Sequence, residues 1–175
     1  MNLPNKLTLL RIALVPVYLV LAAQGTPTMR WLALAVFALA SLTDLLDGHI
    51  ARSRGLITNF GKFMDPIADK LLVIPAAVLM VQQQVFPAWM CILWIAREFV
   101  ISGVRLIAAE QGTIIAAGIW GKAKTVAQMA AILLLTVLPA AHWASVCGLW
   151  VSTALTVVSC ALYVWQARGL LLGDR

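Results

Sequence analysis

Long apolar stretches separated by short polar interruptions set the plan of this chain. No charged residue occurs from Ile12 to Met29, from Trp31 to Thr43, from Leu71 to Ala96, or from Thr125 to Ala167. A helix needs about 20 residues to cross the hydrocarbon layer of a bilayer, so the last stretch must fold back once, near Pro139 to His142. Two other spans reach that length only if charged residues are admitted. Leu71 to Val81 is too short alone, because Gln82, Gln83, Gln84 and Pro87 mark a turn behind it. Its helix therefore begins near Asn59 to Lys62 and carries Asp65, Asp69 and Lys70 in its first turns. The helix that starts near Met29 likewise continues past Ser41 through Asp44 and Asp47. The pattern predicts six transmembrane helices, over roughly 7–24, 29–52, 60–82, 86–109, 119–138 and 143–167. This is the plan of an all-α integral membrane protein with one domain over residues 1–175, since no repeat, low-complexity tract or long linker divides it.

Charge gives the plan an orientation. With six spans, both termini and the connections at 53–59 and 110–118 lie on one side. That side, or the helix ends adjoining it, holds Lys6, Arg11, Arg52, Arg54, Lys62, Lys70, Arg97, Arg105, Lys122, Lys124, Arg168 and Arg175, leaving Arg30 for the other. The excess of Lys and Arg on cytoplasmic segments places both termini, and a polar cavity, on the cytoplasmic side. Trp31, Trp89 and Trp143 then fall near the outer interface and Trp120 and Trp165 near the inner one. Composition agrees: 62% of residues are hydrophobic, mean hydropathy is +0.94, and 11% are charged against roughly 25% in ordinary globular domains. The net charge of +6 is scattered over helix ends and not gathered on a soluble face. It argues against nucleic acid and for anionic headgroups or a phosphorylated substrate. Cys91, Cys147 and Cys160 sit singly in apolar surroundings and read as packing residues. The first helix contains Pro16 and lacks a small-residue cleavage site behind a short apolar core, so it reads as a retained span.

Against this background, Asp44, Asp47, Asp65 and Asp69 place four of the chain's seven carboxylates within 26 residues. A carboxylate at membrane depth costs about 2.5 to 3.5 kcal/mol on insertion scales, so four together cost on the order of 10 kcal/mol. Such a cluster requires compensation. Residues three or four apart share a helix face, so Asp44 pairs with Asp47 and Asp65 with Asp69, and two antiparallel neighbours direct all four into one site. Ion pairs with Arg52, Arg54, Lys62 and Lys70 are the plainer way to neutralise them. Short Asp side chains, however, suit close approach to a hard cation with oxygen ligands, and the absence of a facing His or Cys favours Mg²⁺ or Mn²⁺ over Zn²⁺. Two divalent ions would balance four carboxylates. Gly48, Ala51 and Gly61 flank the acid pairs with positions lacking bulk, which serves close helix packing and also leaves room for a ligand. His49 and His142 read as structural.

The segment reads Asp44, two residues, Asp47, Gly48, two residues, Ala51, Arg52, eight residues, Gly61, three residues, Asp65, three residues, Asp69. It resembles the complete signature of the CDP-alcohol phosphatidyltransferase family, and the helical plan is similar to that family across essentially the whole chain. The resemblance implies attack of an alcohol hydroxyl on the β-phosphorus of a CDP-linked lipid, with CMP leaving. It implies that Asp44, Asp47, Asp65 and Asp69 face the metals, with Asp69 also the base that takes the alcohol proton. Gly48, Ala51, Arg52 and Gly61 would line the CMP pocket. Near the N-terminus, Pro4, Asn5, Lys6, Leu7, Thr8, Leu9, Leu10 and Arg11 are similar to the family's first-helix motif, so Asn5, Thr8 and Arg11 are expected to contact the CDP group; apart from the family they read as a helix cap and a basic anchor.

In the fourth helix Ala96, Arg97, Glu98, Ile101, Ser102 and Arg105, and in the fifth Trp120, Gly121, Lys122, Ala123, Lys124, Thr125 and Gln128, resemble the branch that makes phosphatidylglycerophosphate. A phosphate on the acceptor would explain Arg97 and Arg105, which lie about 80° apart round a helix, because Arg bonds phosphate oxygens in bidentate fashion. Lys122 and Lys124 are expected at the same pocket. The competing account pairs Arg97 with Glu98 or an Asp and sends Arg105, Lys122 and Lys124 to lipid headgroups. The expected substrates are CDP-diacylglycerol and glycerol 3-phosphate, the expected setting a bacterial cytoplasmic membrane with the active site facing the cytoplasm, and the resemblance implies a homodimer. Inositol phosphate, serine or phosphatidylglycerol acceptors remain within the family. A divalent-cation or proton-coupled transporter is a remote alternative, because the far half of every helix is nearly charge-free.

Overall fold

The computed structural model describes the backbone of residues 2–53, 59–111, 118–138 and 140–169, with the side chains in those ranges except those of residues 45, 47–49, 51–53, 59, 60, 62, 63, 65 and 66. The described residues form six α-helices: α1 (Leu3–Ala23), α2 (Pro27–Ser53), α3 (Asn59–Gln82), α4 (Ala88–Glu110), α5 (Ile119–Val137) and α6 (Trp143–Gln166). The hydropathy pattern predicts α1 from about residue 7, yet it starts at Leu3. The cause is a polar first turn. Pro4 suits the start of a helix because its missing N–H needs no partner there, and the Asn2 side chain caps the turn by accepting the Asn5 N–H at 3.3 Å. Asn5 and Thr8 therefore lie on the helix. The other boundaries fall within about two residues of expectation.

Two tight connections set helix direction. Gly25 has φ of 70° between α1 and α2, a left-handed conformation natural to glycine, and Thr26 Oγ1 accepts the Met29 N–H at 3.4 Å to open α2. After α3, Gln84 adopts φ of 59°, while Val85 and Phe86 donate their N–H groups back to the Met80 carbonyl at 3.1 and 3.2 Å. This is the turn that the glutamine run predicts. Arg11 meets Asp69, and Gln83 Nε2 donates to the Ala22 carbonyl at 2.8 Å. These two contacts make α1 parallel to α3, and α2 therefore runs antiparallel to both.

Helix α1 packs on α2 and α3, α5 and α4 pack on α6, and α2 reaches α5. Buried alanines at 33, 40, 68, 76 and 77 let the first three helices approach closely. Larger groups fill the remaining space: the Tyr18 and Phe37 rings lie 5.0 Å apart, and Phe86 meets Trp94 edge-on at 4.9 Å. Helix α6 buries a polar seam of Ser145, Ser152, Thr156, Ser159 and Tyr163 around Leu149. Three of these hydroxyls bond back to their own helix, Ser152 and Thr156 at 2.7 Å and Ser159 at 3.1 Å. Hydroxyls of α6 also accept from neighbours: Thr153 from Trp94 Nε1 and Thr156 from Gln128 Nε2, both at 3.1 Å. Where hydrocarbon surrounds a bundle, such bonds replace the missing hydrophobic drive between helices.

The outer faces carry the large apolar side chains. Ile92, Phe99, Ile119, Trp143 and Trp150 are all more than half exposed, an arrangement that water penalises and lipid favours. Helices α1 and α6 are long and apolar enough to cross a membrane. The described fold is all-helical and consistent with a membrane protein.

At Gly148 a Cβ would stand 3.1 Å from Leu134 Cδ1 and 3.6 Å from the Ala131 Cα. Gly148→Leu should therefore push α5 from α6 and lower stability by about 1–3 kcal/mol. Gly148→Ala should be nearly neutral, since about 1 kcal/mol of helix propensity offsets a small shift of the Leu134 tip. Thermal denaturation in detergent compares the two, and equal behaviour would contradict close α5–α6 packing.

Candidate active site

The buried face of α1 consists of Pro4, Asn5, Thr8, Arg11, Val15 and Tyr18, a helical stripe turned toward α2 and α3. Thr8 satisfies its hydroxyl by donating to the Pro4 carbonyl at 3.1 Å. The Arg11 side chain is fully buried, and its Nη1 lies 2.7 Å from Asp44 Oδ1 and 2.6 Å from Asp69 Oδ1. One nitrogen thus ties three helices together. Like charges on adjacent helices repel, and a buried charge without a partner is strongly destabilising, so buried Arg11 requires the two acids and relieves their repulsion. The Asp44 and Asp69 side chains retain 24% and 40% exposure, which leaves the acids accessible on the side away from Arg11.

The remaining acids follow from the backbone. Asp47 lies one turn beyond Asp44 on α2 and Asp65 one turn before Asp69 on α3. Because the two helices are antiparallel, both lie toward the same end of the bundle. The side chains of Asp47, Asp65, Gly48, Ala51 and Arg52 fall outside the described residues. Among those described, no group of three metal-type side chains occurs, as two of the four acids are in view. Those two fit a hard divalent cation in donor chemistry, since both are carboxylates and both keep part of their surface exposed. Gly61 is buried near the start of α3, and Asn5 and Thr8 are buried beside Arg11.

A second charged cluster links α4 to α5. Glu98 Oε1 accepts from Arg97 Nη1 at 3.1 Å and from Lys124 Nζ at 2.5 Å. All three side chains are largely buried, with 11%, 16% and 5% exposure for Arg97, Glu98 and Lys124. Arg97 lies along α5 where a Cβ on Gly121 would stand 3.4 Å from its Nη2. Lys124 is also within Coulombic reach of Asp69, so the two clusters adjoin. Lys70, next to Asp69 in sequence, donates to Ser102 Oγ at 2.7 Å and ties α3 to α4.

Arg97, Arg105, Lys122 and Lys124, the residues expected at one acceptor pocket, are placed differently. Arg97 and Lys124 come together through Glu98. Arg105 instead donates through Nε to the Tyr163 hydroxyl at 3.2 Å, with its guanidinium 5.7 Å from the ring centre. This contact belongs to the packing of α4 on α6. Lys122 is exposed at the start of α5. Glu98, the joint between the two buried cations, enters the sequence reading merely as a possible partner of Arg97. An acid inside an apolar span is itself the signal that marks it.

Comparison with known proteins places these features in context. The family model described as CDP-alcohol phosphatidyltransferase matches residues 1–165. A Bacillus subtilis protein named CDP-diacylglycerol–glycerol-3-phosphate 3-phosphatidyltransferase is 43% identical over 176 residues, covering 90% of this chain and 91% of its own. A Haemophilus influenzae protein of the same name is 36% identical over 180 residues, covering 99% and 97%. A Mycobacterium tuberculosis protein named probable phosphatidylglycerophosphate synthase is 40% identical over 173 residues, covering 95% and 81%.

Replacing Arg11 by Gln should leave Asp44 and Asp69 facing each other without their shared cation. In chelator-treated protein, stability should fall on the order of 3 kcal/mol, and adding Asp69→Asn should recover part of the loss by removing the repulsion. Strictly additive losses in thermal denaturation would contradict the coupling.

Proposed function

The chain belongs to the CDP-alcohol phosphatidyltransferase family, and from that premise we propose that it makes phosphatidylglycerophosphate. The phosphatidyl group of CDP-diacylglycerol is transferred to sn-glycerol 3-phosphate, with release of CMP, as a step of phospholipid biosynthesis. The observation that carries the site assignment is the convergence of Asp44 and Asp69 on buried Arg11. The backbone places Asp47 and Asp65 one turn away toward the same end of the bundle, and in this reading the four acids act together.

Asp44, Asp47, Asp65 and Asp69 would hold Mg²⁺ or Mn²⁺, two ions being the number that balances four negative charges. A divalent ion there supplies charge neutralisation for the diphosphate of the CDP-lipid. The protein's own residues do the rest. Asp69 takes the proton from the acceptor hydroxyl as its oxygen bonds to the β-phosphorus and the phosphorus–oxygen bond to CMP breaks. Arg11 holds Asp69 and Asp44 in register, and its place between them also sets its guanidinium beside the site where the diphosphate must lie. Asn5 and Thr8 share its face of α1. With Gly48, Ala51, Arg52 and Gly61 they complete the CDP pocket in this reading.

Lys124, within Coulombic reach of Asp69, and Arg97 beside it are positioned to take the acceptor's phosphate near the base. Such a grip brings the attacking hydroxyl to Asp69 and turns a bimolecular encounter into an oriented one. Arg105 and Lys122 would act at the mouth of this pocket, through electrostatic attraction of the anionic acceptor. The arrangement forms one membrane domain of six spans in a bacterial inner membrane. Both termini and the polar cavity face the cytoplasm, as the distribution of Lys and Arg supports, and the family resemblance adds a homodimer.

Purified protein supplied with CDP-diacylglycerol and divalent metal should release CMP only when glycerol 3-phosphate is added, and a chelator should stop it. Release with inositol phosphate or serine but not with glycerol 3-phosphate would sink the assignment. Asp69→Asn should lower turnover by about a hundredfold or more, the scale of a lost general base, while CDP-diacylglycerol and metal binding largely survive. Loss of metal binding would move Asp69 from base to ligand.

A further inference from the structure

The Arg97, Glu98 and Lys124 cluster is out of balance in its hydrogen bonding. Two buried cations meet a single carboxylate oxygen, Glu98 Oε1. Arg97 Nε is buried with no hydrogen-bond partner among the described residues. An arginine and a lysine together offer eight N–H donors, whereas one shared oxygen answers two of the contacts. A phosphate monoester carries three terminal oxygens in a tetrahedral array and suits a guanidinium edge and an ammonium at once. On α5 the guanidinium lies against glycine, where a Cβ on residue 121 would stand 3.4 Å from Arg97 Nη2.

We propose that Glu98 is a positioning residue, an internal anion that occupies the place of the acceptor's phosphate between Arg97 and Lys124 and is displaced by it when the acceptor binds. This rests on the reading that Arg97 and Lys124 take that phosphate. In the resting protein Glu98 keeps the two buried cations compensated and at one point. On binding, Arg97 and Lys124 exchange their shared carboxylate for phosphate oxygens. Glu98, now beside a second anion, is driven off Lys124 by like-charge repulsion. An alcohol without phosphate brings no charge to displace Glu98 and leaves both cations engaged. Glu98 thereby raises the threshold for acceptor binding and restricts it to phosphorylated alcohols.

Steady-state CMP release at varied glycerol 3-phosphate tests this with wild type, Glu98→Gln and Glu98→Asp. Glu98→Gln should lower the KM for glycerol 3-phosphate about threefold or more, since the competing charge is gone, while the KM for CDP-diacylglycerol stays unchanged. Glu98→Asp keeps the charge, and with it the folded state, but draws the carboxylate back by one methylene. It should shift the KM in the same direction by a smaller factor. Inorganic phosphate should also raise the melting temperature of Glu98→Gln by more than that of wild type. An unchanged or raised KM for glycerol 3-phosphate in whichever variant folds, or equal phosphate-induced shifts, would overturn the role. Failure of the underlying reading looks different: wild type itself would then show no dependence on glycerol 3-phosphate.

Discussion

A buried guanidinium bridging two aspartates is the interaction on which the rest of this structure depends. Arg11 has no exposed surface and meets Asp44 and Asp69 through one nitrogen. That places a positive charge where the bundle must tolerate several negative ones. Removing the two acids would leave Arg11 buried and uncompensated, and removing Arg11 would leave two carboxylates facing each other, so electrostatics joins the alanine-lined contacts in holding the first three helices together. The same packing puts Asp47 and Asp65 one turn toward the same end. The contact that holds these helices together therefore also brings together Asp44 and Asp69, two of the acids on which the chemistry is proposed to run.

The second half of the bundle is organised differently. Helices α4, α5 and α6 meet through hydroxyls and small residues, with Trp94, Gln128, Thr153 and Thr156 sharing hydrogen bonds across them. Into this packing α4 and α5 bring Arg97, Glu98 and Lys124. Lys70 donates to Ser102 Oγ and so joins α3 of the first half to α4 of the second. The outer faces, from Ile92 and Phe99 to Trp150, are apolar and exposed. The described bundle thus sets buried charged clusters beneath outer faces rich in exposed apolar side chains.

Much of this was legible in the residues because membrane helices advertise themselves by length and hydropathy. The exception, the early start of α1, came from a polar first turn in which Asn2 and Pro4 do the work of a cap, a local signal that hydropathy does not register. The acid cluster was legible because Asp44 and Asp69 are energetically out of place in apolar helices. The partner of those acids was not. Arg11 is 58 residues from Asp69 in sequence, and only the parallel packing of α1 on α3 reveals that it serves the carboxylates directly. The same limit explains Arg105, whose pairing with Tyr163 also spans 58 residues. Helical spacing alone suggested that it would join Arg97. Spacing within one helix says which residues share a face; it does not say what the neighbouring helix offers to each.

The central claim is that the four aspartates form one metal-dependent site around Arg11. An experimental structure of the protein with Mn²⁺ and CDP-diacylglycerol, using the anomalous signal of manganese, tests it most directly. The account predicts signal bounded by Asp44, Asp47, Asp65 and Asp69, with the diphosphate beside it. Signal at any other residues, or none at saturating Mn²⁺, would contradict it.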